Sequence, residues 1–403
     1  MKKIKYLIPL YLLMCNSLSF GQGCTFAGPY VASVPISWDG ISNQKICGLE
    51  INNPSGHCIK LSNCNYITIE NCKFGPSLGE GVFLSNCTNI IVTNCSMEKV
   101  ESGVVADIGS GIKVINNDVK NVQGPMPRGQ MVQFGNVSGT GNSISYNVGE
   151  NILGESFPED EISLYMCNGT PTDRIQVIGN WIRGGGPSTS GGGIMTGDMG
   201  GSYILVQDNI LVNPGQYGIT ISSGHDITIR NNKIYSMQLP FSNIGLSAYK
   251  QYTIDTYSDT IMNNLVNFTN KDGVTNCLWN DGNCGTVIGW ATNAHSSSLY
   301  TSVLPLKIIG RAVAVTTPIT DQKNSTINAY PNPASDHLFI ETTSDITNGK
   351  IAIYNINGEK LIEQTVYNTT NQLNIKKLSL GVYLLKISNN EQLIAEKKIV
   401  VMR

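Results

Sequence analysis

Short stretches of alternating apolar and polar residues recur along the chain about once every 22 to 33 residues. Clear copies stand at residues 59–61 with 67–71, at 82–84 with 90–94, and at 219–221 with 227–232. Each copy predicts two short β-strands separated by a turn of Ser, Asn, Gly or Asp, because alternation with a period of two gives a strand one apolar face. One such unit cannot bury that face alone, so the repeat predicts a coil of stacked parallel strands.

Columns of equivalent residues give the predicted register of the coil. The first inward column contains Leu61, Leu84, Ala106, Phe134, Leu164, Thr196, Ile221 and Leu246, and the second contains Ile69, Val92, Val114, Val177, Val206 and Ile229. A polar residue follows the second column by three positions, at Cys72, Cys95, Asn117, Asn147, Asn180, Asn209, Asn232 and Asn264. An Asn amide can donate to one neighbouring rung and accept from the other, so this column predicts an asparagine ladder.

Together these features resemble the right-handed parallel β-helix superfamily, the architecture of pectate lyases, polygalacturonases, alginate lyases and many phage tailspikes. The resemblance covers roughly residues 45–270 and implies a β-helix domain over residues 22–312. The fold class expected for the chain is all-β, with this right-handed parallel β-helix followed by a small antiparallel β-sandwich. The resemblance does not determine the reaction, because one fold supports many chemistries.

The start of the chain predicts export. Residues 1–21 combine a basic start with an apolar run at 6–14 that is too short to span a bilayer, and small residues follow it. These are the parts of a secretory signal peptide. No later segment approaches the length of a membrane helix, so we expect no membrane span.

The end of the chain predicts a separate domain. After a polar linker at residues 313–325, residues 326–403 contain a Tyr-Pro-Asn-Pro opening, an Asn-Gly turn, a Gly-Val-Tyr strand and a basic last strand. The order of these phrases resembles the C-terminal sorting domain of the type IX secretion system of Bacteroidetes. The resemblance implies that the protein is secreted, with the type IX secretion machinery as a partner. The alternative is a generic carbohydrate-binding or fibronectin-like sandwich.

The cysteines have the spacing of the repeat. Cys64 with Cys87, and Cys72 with Cys95, are each 23 residues apart, and equivalent positions on neighbouring rungs lie about 4.8 Å apart. Disulfides between them suit this spacing and an oxidising compartment, and stacked free thiols are the alternative. A third candidate pair is Cys277 and Cys284, which bracket a turn-rich loop.

Charge argues against nucleic acid as a partner. Residues 23–312 carry 15 Lys and Arg against 21 Asp and Glu, whereas a surface that binds nucleic acid is basic. The same balance weighs mildly against a strongly anionic glycan, although local patches can override a net charge.

Three lengthened turns mark the candidate site. They lie at residues 123–130, 149–159 and 183–193, each before a strand of the first column. Departures from a regular repeat show where a surface has been modified, and long turns on consecutive rungs form the wall of one groove. We therefore expect a binding groove over these rungs.

The candidate catalytic residues in this groove are Asp160, Glu161, Asp198 and His225. With Ile162 inward, Glu161 is expected to point outward. Clustered carboxylates can have one raised and one ordinary pKa, which is the division of labour that glycoside hydrolysis requires. The candidate substrate-binding residues are Arg128, Gln130, Gln133, Glu159, Tyr165, Arg183, Tyr217 and Lys250.

Three classes of function fit these residues. The favoured one is a glycoside hydrolase that uses Asp160 or Glu161 with Asp198 and inverts the anomeric centre, as β-helix hydrolases usually do. The second is a polysaccharide lyase in which Ca²⁺, held by Glu159, Glu161 or Asp198, neutralises a uronate. The proton acceptors available to such a lyase are Lys250, Arg128, Tyr165 and His225. The third is a non-catalytic glycan binder or adhesin. We expect a monomer, and no cofactor apart from Ca²⁺ in the lyase case.

Overall fold

The computed structural model describes residues 24, 26, 28–310, 328–332, 334–341, 349–355, 360–365, 370–389 and 392–402. The predicted signal peptide at 1–21 and the predicted linker at 313–325 lie outside the described residues. The chain divides into two compact units, Met1–Val313 and Ala314–Arg403. The helices of the described residues are two 3-10 turns, Trp290–Thr292 and Thr301–Val303, and neither is long and apolar enough to cross a membrane. The predicted all-β class is confirmed.

The first unit is a parallel β-helix whose rungs contribute strands to three long sheets. The first sheet pairs, in order, Ile36–Asp39, Ile59–Ser62, Val82–Thr93, Val104–Ser110, Val132–Val137, Ile162–Asn168, Ile194–Ser202, Tyr217–Ile221, Ile244–Ala248 and Leu278–Asn280. The second sheet pairs Ser42–Cys47, Asn65–Glu70, the later half of Val82–Thr93, Lys113–Ile115, Ser143–Ser145, Ile175–Ile178, Ile204–Gln207, Thr228–Arg230 and Thr260–Met262. The third sheet pairs Val31–Ala32, Leu49–Asn53, Lys73–Ser77, Ser96–Glu98, Asp118–Lys120, Val148–Glu150, Trp181–Arg183, Ile210–Val212, Lys233–Ser236, Leu265–Phe268 and Ala294–His295.

The core of the β-helix follows the two predicted columns. Leu61, Leu84 and Ala106 stack on consecutive rungs of the first sheet, and Ile69 and Val92 stack in the second sheet. All five side chains are buried. Burying one Leu or Ile side chain contributes roughly 1.5–3 kcal/mol, so repetition of these columns along the coil supplies the main stabilisation.

The first predicted column is wrong at its last step. Ile221 pairs with Ala248, and Leu246 pairs with Ile219 instead. Leu246 and Ala248 are two residues apart and both face inward, so strand alternation alone does not distinguish them.

An asparagine ladder runs along the turn after the second sheet, as predicted. The backbone N and Nδ2 of Asn117 both donate to Oδ1 of Asn147, at 3.0 Å each. Nδ2 of Asn117 also donates to the carbonyl of Val92 on the preceding rung, at 2.9 Å. The same bonds continue through Asn180, Asn209, Asn232 and Asn264 to Asn293, one rung beyond the predicted column. The ladder satisfies buried turn backbone that would otherwise be unpaired.

Most cysteines in the described part of the chain are free thiols. The disulfides considered for Cys64 with Cys87, Cys72 with Cys95 and Cys277 with Cys284 do not form, and all six side chains are buried and free. Cys72 Sγ lies 3.3 Å from the carbonyl of Glu70, two residues before it, as Nδ2 of Asn117 lies 3.1 Å from the carbonyl of Ile115. Thiols thus take the place of the ladder on the first rungs. A disulfide joins Cys24 and Cys47 instead.

The second unit contains two antiparallel sheets, as predicted for the C-terminal sandwich. One pairs Asn328–Tyr330, His337–Glu341 and Thr370–Asn374. The other pairs Lys360–Thr365, Gly349–Tyr354, Gly381–Asn389 and Gln392–Val401. Buried residues of both sheets, such as Leu338, Ile340, Ile353 and Leu385, form a core of their own.

Candidate active site

Three adjoining cavities open along the outer face of the first sheet. The central cavity, of about 520 Å³, extends from the rung of Val105 to the rung of Asp198. The aromatic cavity, of about 400 Å³, shares Ser190, Met195 and Gln251 with it. The histidine cavity, of about 470 Å³, shares Asn136 with the central cavity. Together the three cavities form one groove that crosses the rungs.

The three lengthened turns line the central cavity, as the sequence predicts. Residues 123–130 contribute Arg128 and Gln130, the turn that begins at residue 149 contributes Glu159, and residues 183–193 contribute Ser190. A turn that was not predicted also takes part. It follows the strand Ile244–Ala248 and contributes Gln251 and Tyr252.

Asp160 lies just before the strand Ile162–Asn168 and lines the central cavity. Its Oδ1 accepts hydrogen bonds from the backbone N of Gly192, at 3.1 Å, and from the hydroxyl of Tyr217. Burial, helped by the charges of Glu159 and Asp198, raises the pKa of Asp160 to about 7, although both hydrogen bonds favour the ionised form. Within the described part of the chain Oδ2 has no hydrogen-bond partner, so it is available to a ligand.

Asp198 lies one rung further on and lines the same cavity. A register shift in the pairing of the two strands places it opposite Tyr165, which also lines the cavity. The hydroxyl of Tyr252 donates to Oδ1 of Asp198 at 2.8 Å. Burial, together with this carboxylate, raises the pKa of Tyr252, so the phenol remains a hydrogen-bond donor.

Glu161 does not face the groove, which corrects the expectation from strand alternation. Its side chain is 0% exposed, and Nδ2 of Asn151 donates to both carboxylate oxygens at 2.9 Å. The strand begins only at Ile162, so the direction of Glu161 is determined by the preceding turn. Burial raises the pKa of Glu161 well above its ordinary value. Glu161 is therefore a buried part of the wall.

The carboxylates do not fit the predicted calcium site. Glu159 lines the central cavity and accepts a hydrogen bond from Ser190, but Glu161 is buried against Asn151. Among the described residues, the only three His, Cys, Asp or Glu side chains whose ligand atoms lie within 4.8 Å of one another are Cys24, Cys47 and Glu70. Two of these form the disulfide, and none lines the groove.

Arg128, Gln130 and Gln133, which the sequence suggests as substrate-binding residues, line the central cavity. Arg128 donates through Nε to Oε1 of Glu80 and through Nη1 to Oε1 of Gln133, at 2.8 Å each. Glu80 is buried and also pairs with His57. Burial alone would raise the pKa of Glu80. The hydrogen bond to His57 and the charges of His57 and Arg128 outweigh burial and lower this pKa. The charge of Arg128 is therefore already balanced by a buried carboxylate.

Two predicted substrate-binding residues lie away from the groove. Arg183 ends a strand of the third sheet, pairs with Glu150 at 3.2 Å and donates to the carbonyl of Leu306 at 2.9 Å. Lys250 is not among the lining residues of the three cavities, and its charge acts on the Cys284 thiol. Arg183 belongs to a strand of the third sheet and not to the lengthened turn, whereas Lys250 lies in a turn whose direction the repeat does not determine.

His225 lies in the histidine cavity and not beside Asp160. Its Nδ1 is 2.8 Å from Oδ2 of Asp226. Its ring stacks on Tyr257 with centroids 4.6 Å apart and meets the ring of Tyr203 edge-on at 5.9 Å. The predicted single cluster is thus divided, because Gln133 and Asp198 share the central cavity whereas His225 lies in the adjoining one.

The groove residues that the sequence did not predict include Asp107, Tyr249, Tyr252 and Trp279. Asp107 stands in the same outward column as Tyr165 and Asp198, so a reading of outward columns would have found it. Trp279 belongs to the strand Leu278–Asn280, although its sequence context predicts a turn between two cysteines. Its ring lies 5.5 Å from that of Tyr249.

The central cavity therefore combines two carboxyl groups in different surroundings. Asp160 is buried and has a pKa near neutrality. Asp198 is partly exposed and accepts a hydrogen bond from a neutral phenol. Such a pair can donate a proton from one side and accept one from the other.

Two family models match the chain. Residues 35–195 match the model described as "Right handed beta helix region", and residues 328–402 match "Secretion system C-terminal sorting domain". The chain is therefore a right-handed parallel β-helix protein with a C-terminal sorting domain of the type IX secretion system, as the sequence predicts. It is a secreted protein, extracellular or at the cell surface. No curated protein matches it significantly.

Several solved structures are similar to this chain. One is the catalytic domain of a GH87 alpha-1,3-glucanase in complex with nigerose, at 14% identity and a TM-score of 0.39, over 63% of this chain and 50% of that chain. Another is a tailspike protein double mutant of the E. coli bacteriophage HK620, at 11% identity and a TM-score of 0.37, over 91% of this chain and 69% of that chain. A third is the enzymatically active domain of tailspike protein 2 of bacteriophage CBA120, at 10% identity and a TM-score of 0.33, over 92% and 72%. These similarities carry no conclusion about the reaction of this chain.

Proposed function

We propose that this secreted chain cleaves polysaccharide as an inverting glycoside hydrolase, with Asp160 as the general acid and Asp198 as the general base. The contrast between these two carboxyls is the observation that carries the proposal. Asp160, with its pKa of about 7, holds a proton near neutral pH. Asp198 is partly exposed and accepts a hydrogen bond from Tyr252. Inverting glycoside hydrolysis requires one carboxyl that donates a proton and a second carboxyl that accepts one.

The proposed reaction uses the free oxygen of each carboxyl. Because Oδ1 of Asp160 is occupied by Tyr217 and Gly192, the proton lies on Oδ2 and passes to the glycosidic oxygen as its bond to the anomeric carbon breaks. Oδ2 of Asp198 takes a proton from a water molecule, whose oxygen forms the new bond to that carbon from the opposite face. One proton leaves Asp160 and one arrives at Asp198, so a later exchange with solvent restores both groups.

The surrounding groove suits a long substrate. It continues past the two carboxyls in both directions, into the aromatic cavity and into the histidine cavity. The lyase alternative has less support, because Lys250 lies outside the groove and the expected calcium ligands do not converge.

Assays of the secreted chain on neutral and acidic polysaccharides, with and without EDTA, test the proposal. We expect new reducing ends, no absorbance from unsaturated uronates, no effect of EDTA, and an inverted anomer in the first product seen by proton NMR. Asp160→Asn and Asp198→Asn should each lower kcat by ~10²–10⁴-fold, because each removes one proton-transfer step.

Asp208→Asn is the matched control, since Asp208 is an exposed aspartate outside the groove and its φ of 56° suits Asn as well as Asp. This variant should keep full activity. Unsaturated products would replace the hydrolase proposal by the lyase, and binding without new reducing ends would replace it by the glycan binder.

A further inference from the structure

The aromatic cavity lies at the C-terminal end of a continuous outward column. Along the first sheet, Ser163 pairs with Met195, which pairs with Thr220, and the column then ends in Ser247 and Trp279. Four rung steps separate the strand that follows Asp160 from Trp279, roughly 19 Å at about 4.8 Å per rung. The column therefore forms a floor that leads from the proposed acid to an indole ring.

Trp279 stands at this end as an exposed apolar surface. Its side chain is 47% exposed, and Tyr249 supports it with ring planes inclined by 33°. The hydroxyl of Tyr249 donates to Oε1 of Gln251 at 3.0 Å, which fixes the orientation of the phenol ring. A large rigid aromatic face of this kind packs against the C–H face of a sugar ring.

Most of the other residues of the aromatic cavity are polar and uncharged, and two, Met195 and Ile244, are apolar. Hydroxyl groups come from Ser190, Thr220 and Ser247, and amide groups come from Gln216, Asn243 and Asn276. Of the residues that the structure describes, no charged side chain lines this cavity. Hydroxyls and amides both donate and accept hydrogen bonds, so they match the hydroxyl groups of a sugar.

The charged residues of the central cavity also favour an uncharged sugar as the ligand. Asp107, Glu159, Asp160 and Asp198 line it, and within the described part of the chain the only Lys or Arg that lines it is Arg128. Arg128 is already paired with the buried Glu80. A uronate carboxylate in this groove would meet several negative charges without a free cation to neutralise them.

From these observations we infer that the aromatic cavity is a subsite in which an uncharged sugar ring stacks on Trp279, and that the substrate is a neutral polysaccharide. The inference rests on the proposed function, in that the groove must hold a glycan. It goes further by assigning the class of sugar and the part of the groove that recognises it.

Calorimetric binding to the secreted chain carrying Asp198→Asn, in which turnover is expected to be ~10²–10⁴-fold slower, tests the subsite separately from catalysis. The probes are gluco-, manno- and galacto-oligosaccharides from disaccharides to octasaccharides, with galacturonate and alginate oligosaccharides of the same lengths. We expect affinity for one neutral series, rising with length until the chain reaches Trp279. Trp279→Ala should remove this gain, weakening the longer members about tenfold or more, as expected for loss of one stacked ring.

Tyr66→Ala is the matched control, because Tyr66 is 58% exposed on the second sheet and lines none of the three cavities. It should bind as the parent does. Tighter binding of the uronate series, or unchanged binding after Trp279→Ala, overturns the inference. If a neutral glycan binds through Trp279 but the unmutated chain does not cleave it, the subsite is still supported and only the hydrolase proposal is rejected.

Discussion

The surroundings of Asp160 determine the pH range in which the proposed acid holds its proton. Burial raises the pKa of this group, and the nearby carboxylates Glu159 and Asp198 act in the same direction. The bonds from Tyr217 and Gly192 act in the opposite direction, because they stabilise the ionised form. The alkaline limb of kcat/KM, which reports the free enzyme, should therefore fall near pH 7, where Asp160 loses its proton.

Tyr217→Phe should shift this alkaline limb upward by roughly one pH unit. The substitution removes a hydrogen bond that favours ionised Asp160, so the carboxyl keeps its proton to higher pH. Tyr249→Phe is the control, since the hydroxyl of Tyr249 bonds to Gln251 and not to Asp160. The alkaline limb of this variant should stay at the pH of the unmutated protein. The measurement is the pH dependence of kcat/KM for the three proteins. An unshifted limb in Tyr217→Phe would show that Asp160 is not the titrating acid.

At the residue scale, the sequence predicted the types of side chain in the groove. It predicted the directions of those side chains less well. Asp160 and Glu161 are neighbours in the sequence, yet one lines the cavity and the other is bonded to Asn151 inside the wall. Strand alternation fixes direction only within a strand, and both residues precede Ile162, where the strand begins. Tyr252 was missed for the same reason, because it lies in a long turn after the first sheet.

At the scale of the elements, repetition made the core predictable. The inward columns and the asparagine ladder follow from alternation and fixed spacing, and the structure contains both. The strand Leu278–Asn280 lies beyond the clear repeats, between cysteines and turn-forming residues, and was interpreted as a loop. Its pairing with Ile244–Ala248 depends on tertiary contacts that local sequence does not reveal.

At the turn position of Asp259 a carboxyl makes a bond that an amide makes elsewhere in the coil. Oδ1 of Asp259 accepts from the backbone N of Ile227 at 2.9 Å, as Oδ1 of Asn142 accepts from Ile112 at 2.9 Å. Asn142 also donates through Nδ2 to the carbonyls of Ser138 and Gly139, whereas the buried Oδ2 of Asp259 has no hydrogen-bond partner among the residues that the structure describes. Burial raises the pKa of Asp259 to about 7.

Asp259→Asn should therefore stabilise the β-helix above pH 7. A carboxyl whose folded pKa is raised contributes its full stability below its unfolded pKa near 4, and loses it as pH rises to about 7. Relieving the buried charge should raise the free energy of unfolding by on the order of 2–4 kcal/mol at pH 8 and change little at pH 4. Urea unfolding at both pH values measures the difference.

The reciprocal variant Asn142→Asp is the control for this prediction. It introduces a carboxylate at a buried amide position and removes two donated hydrogen bonds, so it should destabilise the protein most at high pH. Equal effects of Asp259→Asn at both pH values would mean that ionisation of Asp259 does not limit stability.

At the scale of the whole molecule, the chain combines two units whose residues have separate tasks. The groove residues belong to the β-helix, and the C-terminal unit has its own buried core. Both units were predicted, because each contains ordered phrases of sequence that match a known architecture. The sugar proposed to bind in the groove could not be predicted in the same way, since its recognition would depend on side chains brought together from many rungs.

Removing residues 314–403 should stop export without disabling the groove. The sorting domain matched at residues 328–402 is the part that addresses the chain to the secretion machinery, while the buried residues of the β-helix core lie before residue 290. In a host with a type IX system, the truncated chain should remain in the periplasm, and its extract should cleave the same polysaccharide as the intact protein. Immunoblots of medium and periplasm measure the distribution, and full-length Asp160→Asn, which alters only the groove, should be exported normally. If the truncated chain reaches the medium at the level of the intact protein, the C-terminal unit is not the export signal. If the truncated chain stays in the periplasm but is inactive, export and the proposed activity are not separable.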